Sequence, residues 1–512
     1  MGQARTIALV GLEAHPVTVE AHVGSGLPGF SIIGSSGSAA REAGDRVRTA
    51  LGAVGVTLPA RKTLVSLAPA DVSKVGARFD LAMAAAVLAQ LGRIPADALD
   101  GVTLLGELAL DGRVRAVPGV LPSAAHLARG PSVRRLIVPE VNAAEAALAC
   151  PSAAGSRVEV VPLTDLGELL AVLGGRAARP VTPLAPVEPA SAGDLADVRG
   201  QEEARRALEI AAAGGHHLLL VGPPGCGKSM LAGRLPGILP PLSEEQALEL
   251  AAVRSVAGLL DHGAALDRTP PLRSPHHTAS APALLGGGTG IARPGELSLA
   301  TGGVLFMDEL FEWPRRLLEA LREPLTEGVV RVARARATVT YPARVQLVAA
   351  ANPCPCGRQE GCTCTDREIL SYRGRLSGPL ADRLDLAPAV SPLRSEDLME
   401  AGEGEPTAVV AARVREARDA AEVRWRGVAA SETMNATAPV TALRRSAQRP
   451  ALSALADAVD RGLLTGRGYD RALRVARTIA DLEGAESVAR EHVMEALGHR
   501  MALASPQPVA SR

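Results

Sequence analysis

The chain has 512 residues, 47% of them hydrophobic and 21% charged, which is typical of a globular protein with ample core. Its 55 lysines and arginines balance its 55 aspartates and glutamates, and this zero net charge excludes a histone-like basic protein and an acidic tail protein but not a local basic patch. Six cysteines are too few for a disulfide scaffold, no apolar run reaches the about 18 residues of a membrane-spanning helix, and Glu13 comes too early for a secretory signal, so we expect a cytoplasmic protein.

The N-terminal part of the chain alternates short β-like runs with helical runs, which predicts a mixed α and β domain over residues 1–173. Strands are predicted at residues 6–12, 18–22, 64–67, 102–107, 135–138 and 158–162, an amphipathic helix at 39–51 and a buried helix at 79–91. Residues 174–193 follow as a semi-rigid linker, because their composition is rich in regularly spaced prolines, at Pro180, Pro183, Pro186 and Pro189.

A phosphate-binding loop is predicted after the linker. Residues 217–221 (HLLLV) indicate a buried strand, and the segment GPPGCGKS connects it to an apolar helix, which is the context that the G-x-x-x-x-G-K-S/T motif requires. In such a loop the backbone N–H groups bind phosphate oxygens, Lys228 reaches the β- and γ-phosphates of ATP, and Ser229 binds Mg²⁺. The predicted nucleotide-binding residues are Gly222, Pro223, Pro224, Gly225, Cys226, Gly227, Lys228 and Ser229.

Two adjacent carboxylates end a second apolar strand in the segment GGVLFMDEL, residues 302–310. Ligands bind at the carboxyl ends of parallel strands, where Asp308 would hold Mg²⁺ and Glu309 would polarise the attacking water. Residues 346–351 (QLVAAA) predict a third strand, and Asn352 at its end can orient that water near the γ-phosphate. The three strands together predict a P-loop ATPase.

Between the second and third strands, residues 328–342 (GVVRVARARATVTYP) alternate in a β pattern that predicts a hairpin. Its Arg331, Arg334 and Arg336 could follow a nucleic-acid phosphate backbone without reading the base sequence, or could form a solvated face. His276 and His277 precede the second strand on a loop, and we do not expect them to bind a metal, since adjacent histidines rarely converge on one ion. The glycines at residues 286–288 suggest a mobile segment beside them.

Four of the six cysteines fall within eleven residues, directly after Asn352. Cys354, Cys356, Cys362 and Cys364 follow the pattern C-x-C-x₅-C-x-C, and four thiolates could bind one structural Zn²⁺. Because C-x-C pairs are less usual than C-x-x-C pairs, reduced free cysteines and a redox pair stay open as alternatives. Cys226, inside the phosphate loop, is interpreted as a small filler residue rather than a nucleophile.

The rest of the chain has a helical pattern, which predicts helices at residues 407–425, 450–463, 469–483 and 491–497. The predicted domain boundaries are therefore an ATPase core over residues 194–393, a helical domain over 394–504 and a tail over 505–512.

Several long segments carry the most specific signal. They include GLPGFSIIG (26–34), LAPADVSKVGARFDLAMA (67–84), residues 272–310, residues 317–357, SGPLADRLDL (377–386) and RGYDRALRVARTIADLEG (467–484). Together they resemble the ComM/YifB group of magnesium-chelatase-like AAA+ proteins over nearly the whole chain. This resemblance implies an α/β protein with a Lon-protease-like α+β N-terminal domain, an AAA+ P-loop parallel-sheet ATPase domain and a helical C-terminal lid.

The resemblance also implies a ring, usually a hexamer, with ATP bound between subunits. Arg383 would then be the arginine finger given to the neighbour's γ-phosphate, unless it only pairs with Asp382 or Asp385. Arg467 would be the sensor arginine of the lid, with Arg471 and Arg474 as alternatives. The hairpin of residues 328–342 stands where this branch of AAA+ proteins has a pore-facing hairpin.

The Lon-like part carries no recognisable catalytic dyad. Residues 73–78 stand where Lon proteases carry the nucleophile loop, but Ala77 and Arg78 occupy it instead of a serine. Leu121 stands about where the catalytic lysine should be, and Ser66 and Lys74 could replace the pair only after a rearrangement. Because a Ser–Lys dyad needs both partners, we expect an inactive protease fold kept for assembly or substrate engagement.

The sequence thus predicts a homo-hexameric motor that uses ATP and Mg²⁺ and acts on DNA, in branch migration or helicase-like translocation during recombination or natural transformation. One alternative is a chaperone-like protein remodeller whose inactive protease domain binds polypeptide. The other is the ATPase subunit of a magnesium chelatase, which resembles residues 194–500 but lacks the Lon-like domain. We expect no membrane partner and no small-molecule substrate other than ATP.

Overall fold

The computed structural model describes residues 1–34, 38–74, 76–95, 97–150, 157–182, 193–260, 265–288, 290–334, 337–358, 361–392, 404–428 and 434–500. Several predicted features therefore lie wholly or partly outside the described residues, including Arg336, the predicted tail 505–512, the central part of the predicted linker and both ends of the predicted helical domain 394–504.

The N-terminal part is built on a mixed sheet. Its strands are β1 Gly2–Val10, β2 Glu13–Gly24, β3 Gly29–Ile33, β4 Lys62–Ala68, β5 Val102–Leu104, β6 Glu107–Leu108, β7 Val114–Arg115, β8 Arg135–Pro139 and β9 Glu159–Leu163. Seven of them form one sheet in the order β3-β4-β2-β1-β5-β8-β9, and β6 pairs with β7 beside it. The helices are α1 Ser38–Ala53, α2 Asp80–Gln90, α3 Val120–Arg129, α4 Glu140–Ala149 and α5 Leu166–Leu173.

The predicted strands and helices of this part are confirmed with two differences. The strand predicted over residues 102–107 is broken, because β5 ends at Leu104 and β6 begins at Glu107 in a separate ribbon. The sequence pattern does not predict strands β3 and β7 or helices α3, α4 and α5. Helix α2 is buried along nearly its whole length, since its alanines let it lie close against β1 and β2.

The ATPase core has a parallel sheet in the order β10-β15-β12-β11. Its strands are β10 Leu218–Val221, β11 Leu272–Arg273, β12 Val304–Met307 and β15 Gln346–Ala351, and the antiparallel hairpin predicted before β15 is confirmed as β13 Val329–Arg334 and β14 Ala337–Pro342. The helices are α6 Glu202–Gly214, α7 Lys228–Ile238, α8 Glu244–Ala257, α9 Ala281–Leu285, α10 Glu296–Leu299, α11 Arg315–Ala320, α12 Pro324–Glu327, α13 Asp366–Arg373 and α14 Gly378–Ala381. All six residues of β15 are buried because this strand lies between β10 and β12.

The C-terminal part is helical, which confirms the four helices predicted there and adds a short one. Its helices are α15 Thr407–Trp425, α16 Val440–Arg445, α17 Arg449–Asp460, α18 Gly466–Leu482 and α19 Arg490–Gly498. Val414, Leu473 and Ile479 pack in one hydrophobic core with Leu208 and Leu231 of the ATPase core. These helices therefore lie against α6 and α7.

The N-terminal part contacts the ATPase core through buried polar groups. Glu145 of α4 accepts a hydrogen bond from the backbone N–H of Leu121 (2.8 Å) and one from the hydroxyl of Ser255 in α8. The carbonyl of Ser255 accepts from the backbone N–H of Gly119 (3.1 Å). Gly11, at the β1–β2 turn, lies so close to Val339 of the hairpin that an added Cβ would come within 2.3 Å of its side chain.

Candidate functional site

The predicted phosphate loop connects β10 to α7, at the carboxyl edge of the parallel sheet. Gly225 and Gly227 have positive φ angles of 77° and 92°, and a Cβ on either would meet no atom of the described part of the chain within 4 Å, so the loop is open on that side. A Cβ at Gly222 would instead lie 2.2 Å from the carbonyl oxygen of Val390 and 2.8 Å from Sγ of Cys226. Cys226 is buried against Gly222, which agrees with its interpretation as a filler residue.

Lys228 directs its ammonium group into this loop. Nζ donates to the carbonyl oxygens of Gly222 (2.7 Å) and Pro223 (2.8 Å) and to Oδ1 of Asn352 (3.2 Å). The side chain is only 8% exposed, and these three oxygens compensate its buried charge. The contact with Asn352 brings together two predicted site residues that are 124 positions apart in the chain.

Ser229 and Asp308, the two predicted Mg²⁺ ligands, face each other across the site. The hydroxyl of Ser229 donates to Oδ2 of Asp308 at 2.8 Å, and the other carboxylate oxygen of Asp308 accepts from the backbone N–H of Glu309 at 2.8 Å. Trp313 holds the backbone of Asp308 in place by donating from Nε1 to its carbonyl oxygen (3.0 Å). Two hard oxygen donors within hydrogen-bond distance of each other beside an open phosphate loop fit a Mg²⁺ ion, which keeps few protein ligands and several waters.

Glu309 has a strained backbone and an unpredicted partner. Its φ of 50° and ψ of 47° place it in the left-handed region, which costs a non-glycine residue on the order of 1–3 kcal/mol and is concentrated at functional sites. Its Oε2 lies 2.8 Å from Nδ1 of His277. The His277 ring stacks on that of His276, with 4.1 Å between centroids, and His276 is held by the hydroxyl of Thr278 at 2.8 Å.

The contact between His277 and Glu309 was missed at the sequence level because β11 has only two residues and shows no pattern of its own. β11 pairs in parallel with β12, so the loop after β11 lies at the same edge of the sheet as Glu309. The sequence does contain a signal, since two histidines precede the strand that ends in two carboxylates. That signal can be interpreted only when the order of the strands in the sheet is known.

The predicted arginine finger, Arg383, lies at the end of α14. Its guanidinium donates to the hydroxyl of Thr326 (2.7 Å from Nη2) and to the carbonyl oxygen of Pro379 (2.7 Å). Within the described part of the chain, its hydrogen-bond acceptors are thus uncharged, and it forms no ion pair with Asp382 or Asp385. Burial, followed by the nearby positive charges of Arg322, Arg471 and Arg467, lowers the pKa of Arg383. Among the described residues, no hydrogen-bonded carboxylate neutralises its guanidinium charge.

The three candidate sensor arginines have different surroundings. Arg471 donates to Oδ1 of the buried Asp385 at 2.5 Å and to the carbonyl oxygen of Arg383 at 2.9 Å, so it holds the C-terminal helices to the core. Arg474 donates to the carbonyl oxygen of Ala438 at 3.1 Å. Arg467 is 72% exposed and lies 3.6 Å from Asp382, next to Arg383. Of the three, Arg467 is exposed, whereas Arg471 and Arg474 are half-buried.

The four predicted zinc-binding cysteines converge, and their sulfur atoms all lie within 4.8 Å of one another. The Sγ of Cys354 lies 3.4 Å from that of Cys356 and 3.5 Å from that of Cys362. A tetrahedral Zn²⁺ with Zn–S bonds of about 2.3 Å needs S–S separations of about 3.8 Å, so the donor set fits zinc after small shifts. The backbone N–H of Arg358 and the thiol of Cys354 lower the pKa of Cys356 to about 6, so this sulfur is readily a thiolate.

The hairpin separates the two arginines that the structure describes. Because residues alternate across a strand, Arg331 and Arg334 of β13 point to opposite faces. Arg331 pairs with Glu327 and, at 3.3 Å, with Glu323. Arg334 is exposed, donates to the carbonyl oxygen of Ala333 (3.3 Å) and lies over Gly287. The third predicted arginine, Arg336, lies outside the described residues.

Comparison with known proteins gives matches along the whole chain. Residues 194–398 match the family described as magnesium chelatase, subunit ChlI; residues 19–142 match subunit ChlI of Mg-chelatase; and residues 404–500 match the C-terminal part of subunit ChlI. An uncharacterized protein of Mycobacterium tuberculosis is 45% identical over 98% of both chains. The uncharacterized protein YifB of Escherichia coli is 42% identical over 97% of this chain and 96% of its own. The competence protein ComM of Haemophilus influenzae is 41% identical over 96% of both.

Among the helices that the structure describes, none is both long and apolar enough to cross a membrane.

Proposed function

The chain belongs to the ComM/YifB family of magnesium-chelatase-like proteins, a family of AAA+-type ATPases, and we propose from this premise that it is an ATP-driven ring motor acting on DNA. The observation that carries the proposal is the convergence of Lys228, the Ser229–Asp308 pair and Glu309 at one edge of the parallel sheet. The same proposal includes a hexameric ring, a cytoplasmic location and the domain boundaries given above.

Each residue at this edge has a distinct role in hydrolysis. The open face formed by Gly225 and Gly227 receives the phosphates, and Lys228 exchanges its contacts with loop carbonyls for contacts with the β- and γ-phosphate oxygens. Mg²⁺, when bound, neutralises charge on the phosphate oxygens, and Ser229 and Asp308 would hold it. Glu309 accepts the hydrogen bond of the attacking water, and Asn352, placed next to Lys228, orients that water.

The site is incomplete in one subunit, because the arginine that stabilises the developing charge would come from a neighbour. Arg383 is suited to this role, since its acceptors within the described residues are neutral and other arginines surround it. Arg467, exposed beside it, would be the second cation of the same surface and the proposed sensor. A ring in which each subunit offers this surface to the next would complete every site.

DNA is the proposed substrate because one of the relatives is named a competence protein and because exposed cations lie on the hairpin. Arg334 would contact the phosphate backbone, Arg331 lies on the opposite face, and Arg336 is the third candidate contact. Contacts of this type do not read sequence, which suits a motor that moves along DNA. The N-terminal part, fixed to α8 and to the hairpin, would support assembly or substrate engagement as an inactive Lon-like fold.

We expect DNA to stimulate ATP hydrolysis several-fold, and added salt to weaken this stimulation because phosphate contacts release counterions. Hydrolysis is to be measured with single-stranded, duplex and four-way branched DNA. Arg334→Ala should weaken DNA binding to all sequences about equally. It should also reduce the slope of the logarithm of DNA affinity against the logarithm of salt concentration by about one. Arg331→Ala is the matched control, with a smaller effect, since two glutamates already compensate its charge.

An unchanged rate with all three DNA substrates, in a protein that still hydrolyses ATP, would contradict the DNA proposal. The substrate would then be polypeptide, as in a protein remodeller, or a partner subunit, as in a magnesium chelatase. The ATPase assignment would survive that result.

We expect His277→Ala to raise the basal kcat about threefold to tenfold. In this variant the half-exposed carboxylate of Glu309 no longer has its hydrogen bond to His277 and is free to accept one from the attacking water. The reference variant is His276→Ala, which removes the neighbouring ring that faces Thr278 and should leave kcat close to wild type. Steady-state hydrolysis without DNA measures both variants. A fall in kcat for His277→Ala would mean that the histidine orients Glu309 instead of restraining it.

We propose that the four-cysteine cluster binds Zn²⁺. Four thiolates close the coordination sphere, which is typical of a structural site and leaves no position for a substrate. We expect metal analysis of the purified protein to find one zinc per chain, whereas free cysteines or a redox pair would leave the cluster without metal.

A further inference from the structure

We propose that the four-cysteine cluster and the phosphate loop form one coupled unit, so that Zn²⁺ at the cysteines and nucleotide at the loop strengthen each other's binding. This inference rests on the proposed function for the existence of the two sites, and it adds the coupling between them. Two separate connections in the structure carry it.

The first connection is through the backbone after β15. Cys354 follows Asn352 by two residues and is buried, and Asn352 accepts a hydrogen bond from Lys228 at 3.2 Å. The carbonyl oxygen of the intervening Pro353 accepts from Nε of Arg373 at 3.1 Å, which fixes the direction of the chain between them. The position of one cysteine thus determines where the partner of Lys228 lies.

The second connection is a direct contact between the cysteine loop and the phosphate loop. Gly357, next to Cys356, lies against the ring of Pro224, and a Cβ at Gly357 would be 2.8 Å from Cγ and 2.9 Å from Cδ of that proline. Asn352 lies on the same side, with Nδ2 3.9 Å from that Cβ position. The cysteine loop therefore contacts the phosphate loop directly, at Pro224.

A bound metal would fix both connections at once. It would join Cys354, which leads from Asn352, to Cys356, which precedes Gly357, and to the two cysteines that follow. Both contacts of the phosphate loop would then belong to one rigid turn, so ordering the loop for nucleotide would cost less. Because coupling between two binding sites is reciprocal, nucleotide must raise zinc affinity by the same factor.

The test measures nucleotide affinity, which does not depend on hydrolysis. Full-length protein is prepared with stoichiometric zinc, verified by metal analysis, and after treatment with a zinc-selective chelator, both with Mg²⁺ present. We expect a fluorescent ATP analogue to bind the zinc form more tightly by a factor of about 5–150, the usual range of coupling between sites. Competition of the protein with a zinc indicator, with and without the ATP analogue, should give the same factor.

Two glycine variants distinguish the effect of the contact between Gly357 and Pro224 from the effect of backbone strain in the cysteine loop. Gly357→Ala places a methyl group against Pro224 and should reduce the coupling factor toward one. Gly361→Ala is the matched control, because Gly361 has a similar φ of 66° against 71° for Gly357, yet a Cβ there would meet no atom of the described residues within 4 Å. It should keep the wild-type factor even if both alanines strain the backbone equally.

Equal nucleotide affinities with and without bound zinc would overturn the coupling while leaving the proposed ATPase intact. Absence of zinc at the cluster, with Co²⁺ also giving no thiolate charge-transfer absorption, would overturn it too. If neither the zinc form nor the metal-free form binds nucleotide, the proposed function itself fails, and the coupling fails with it.

Discussion

Glu309→Gln should lower kcat for ATP hydrolysis by about 10²–10⁴-fold, the usual contribution of a positioned general base. The amide keeps the shape of the side chain but cannot accept a proton from the attacking water. Nucleotide affinity should stay near the wild-type value, because the phosphates are bound by the loop, by Lys228 and through the Ser229–Asp308 pair. A coupled hydrolysis assay and titration with a fluorescent ATP analogue measure the two quantities separately.

Glu312 offers a matched control for this variant. It lies three residues further along the same segment and pairs with Arg375 at 2.8 Å on the surface. Glu312→Gln should keep kcat within a small factor of the wild-type value. Wild-type hydrolysis by Glu309→Gln would remove this residue from the proposed mechanism.

Arg383→Ala should lower kcat by about 10³–10⁵-fold if its guanidinium stabilises the transition state in a neighbouring site. If Arg383 only donates hydrogen bonds to Thr326 and Pro379, its replacement should lower kcat far less. Arg322→Ala serves as comparison, since Arg322 belongs to the same group of cations but pairs with Glu319 at 2.8 Å. Thermal unfolding of each variant checks that the fold of the mutated subunit is retained.

Mixed rings test whether the arginine acts between subunits. Rings of Arg383→Ala alone lack the finger at every site, and rings of Glu309→Gln alone lack the base. In a mixture, a site formed by the Glu309 of an arginine variant and the Arg383 of a glutamine variant is complete. We expect the mixture to regain ATP hydrolysis. If the mixture stays inactive, Arg383 acts in the site of its own subunit or does not take part in catalysis.

The sequence predicts those parts of the site in which one short segment carries both the fold signal and the chemistry. The phosphate loop follows an apolar strand, and Asp308 follows another, so their positions at one sheet edge need only the rule for parallel strands. Strand β15 is found at its predicted bounds because its six residues, five of them apolar, lie in the middle of the sheet. Helix α15 is also found at its predicted bounds, Thr407–Trp425.

What the sequence does not predict depends on which strands are neighbours and which charges are already paired. His277 meets Glu309 only because β11 lies beside β12. Arg471 differs from Arg467 because Asp385, distant in sequence, holds it at 2.5 Å. Arg331 and Arg334 look equivalent in the sequence, yet two glutamates surround one and not the other. No periodicity encodes these partners.

The anchoring of β15 limits how mechanical load can travel through the subunit. Gln346, its first residue, is buried and donates from Nε2 to the carbonyl oxygens of Ala211 and His216, both at 2.8 Å. The next residue, Leu347, donates its backbone N–H to Nδ1 of His217 at 3.0 Å. A force applied to the preceding hairpin would therefore act first on Gln346 and Leu347, which are held by α6 and by the residues at the start of β10. These three hydrogen bonds, together with the pairing of β15 to β10 and β12, oppose sliding of the strand along the sheet. If the protein is the ring motor proposed above, we expect the hairpin to move together with the whole parallel sheet rather than independently of it.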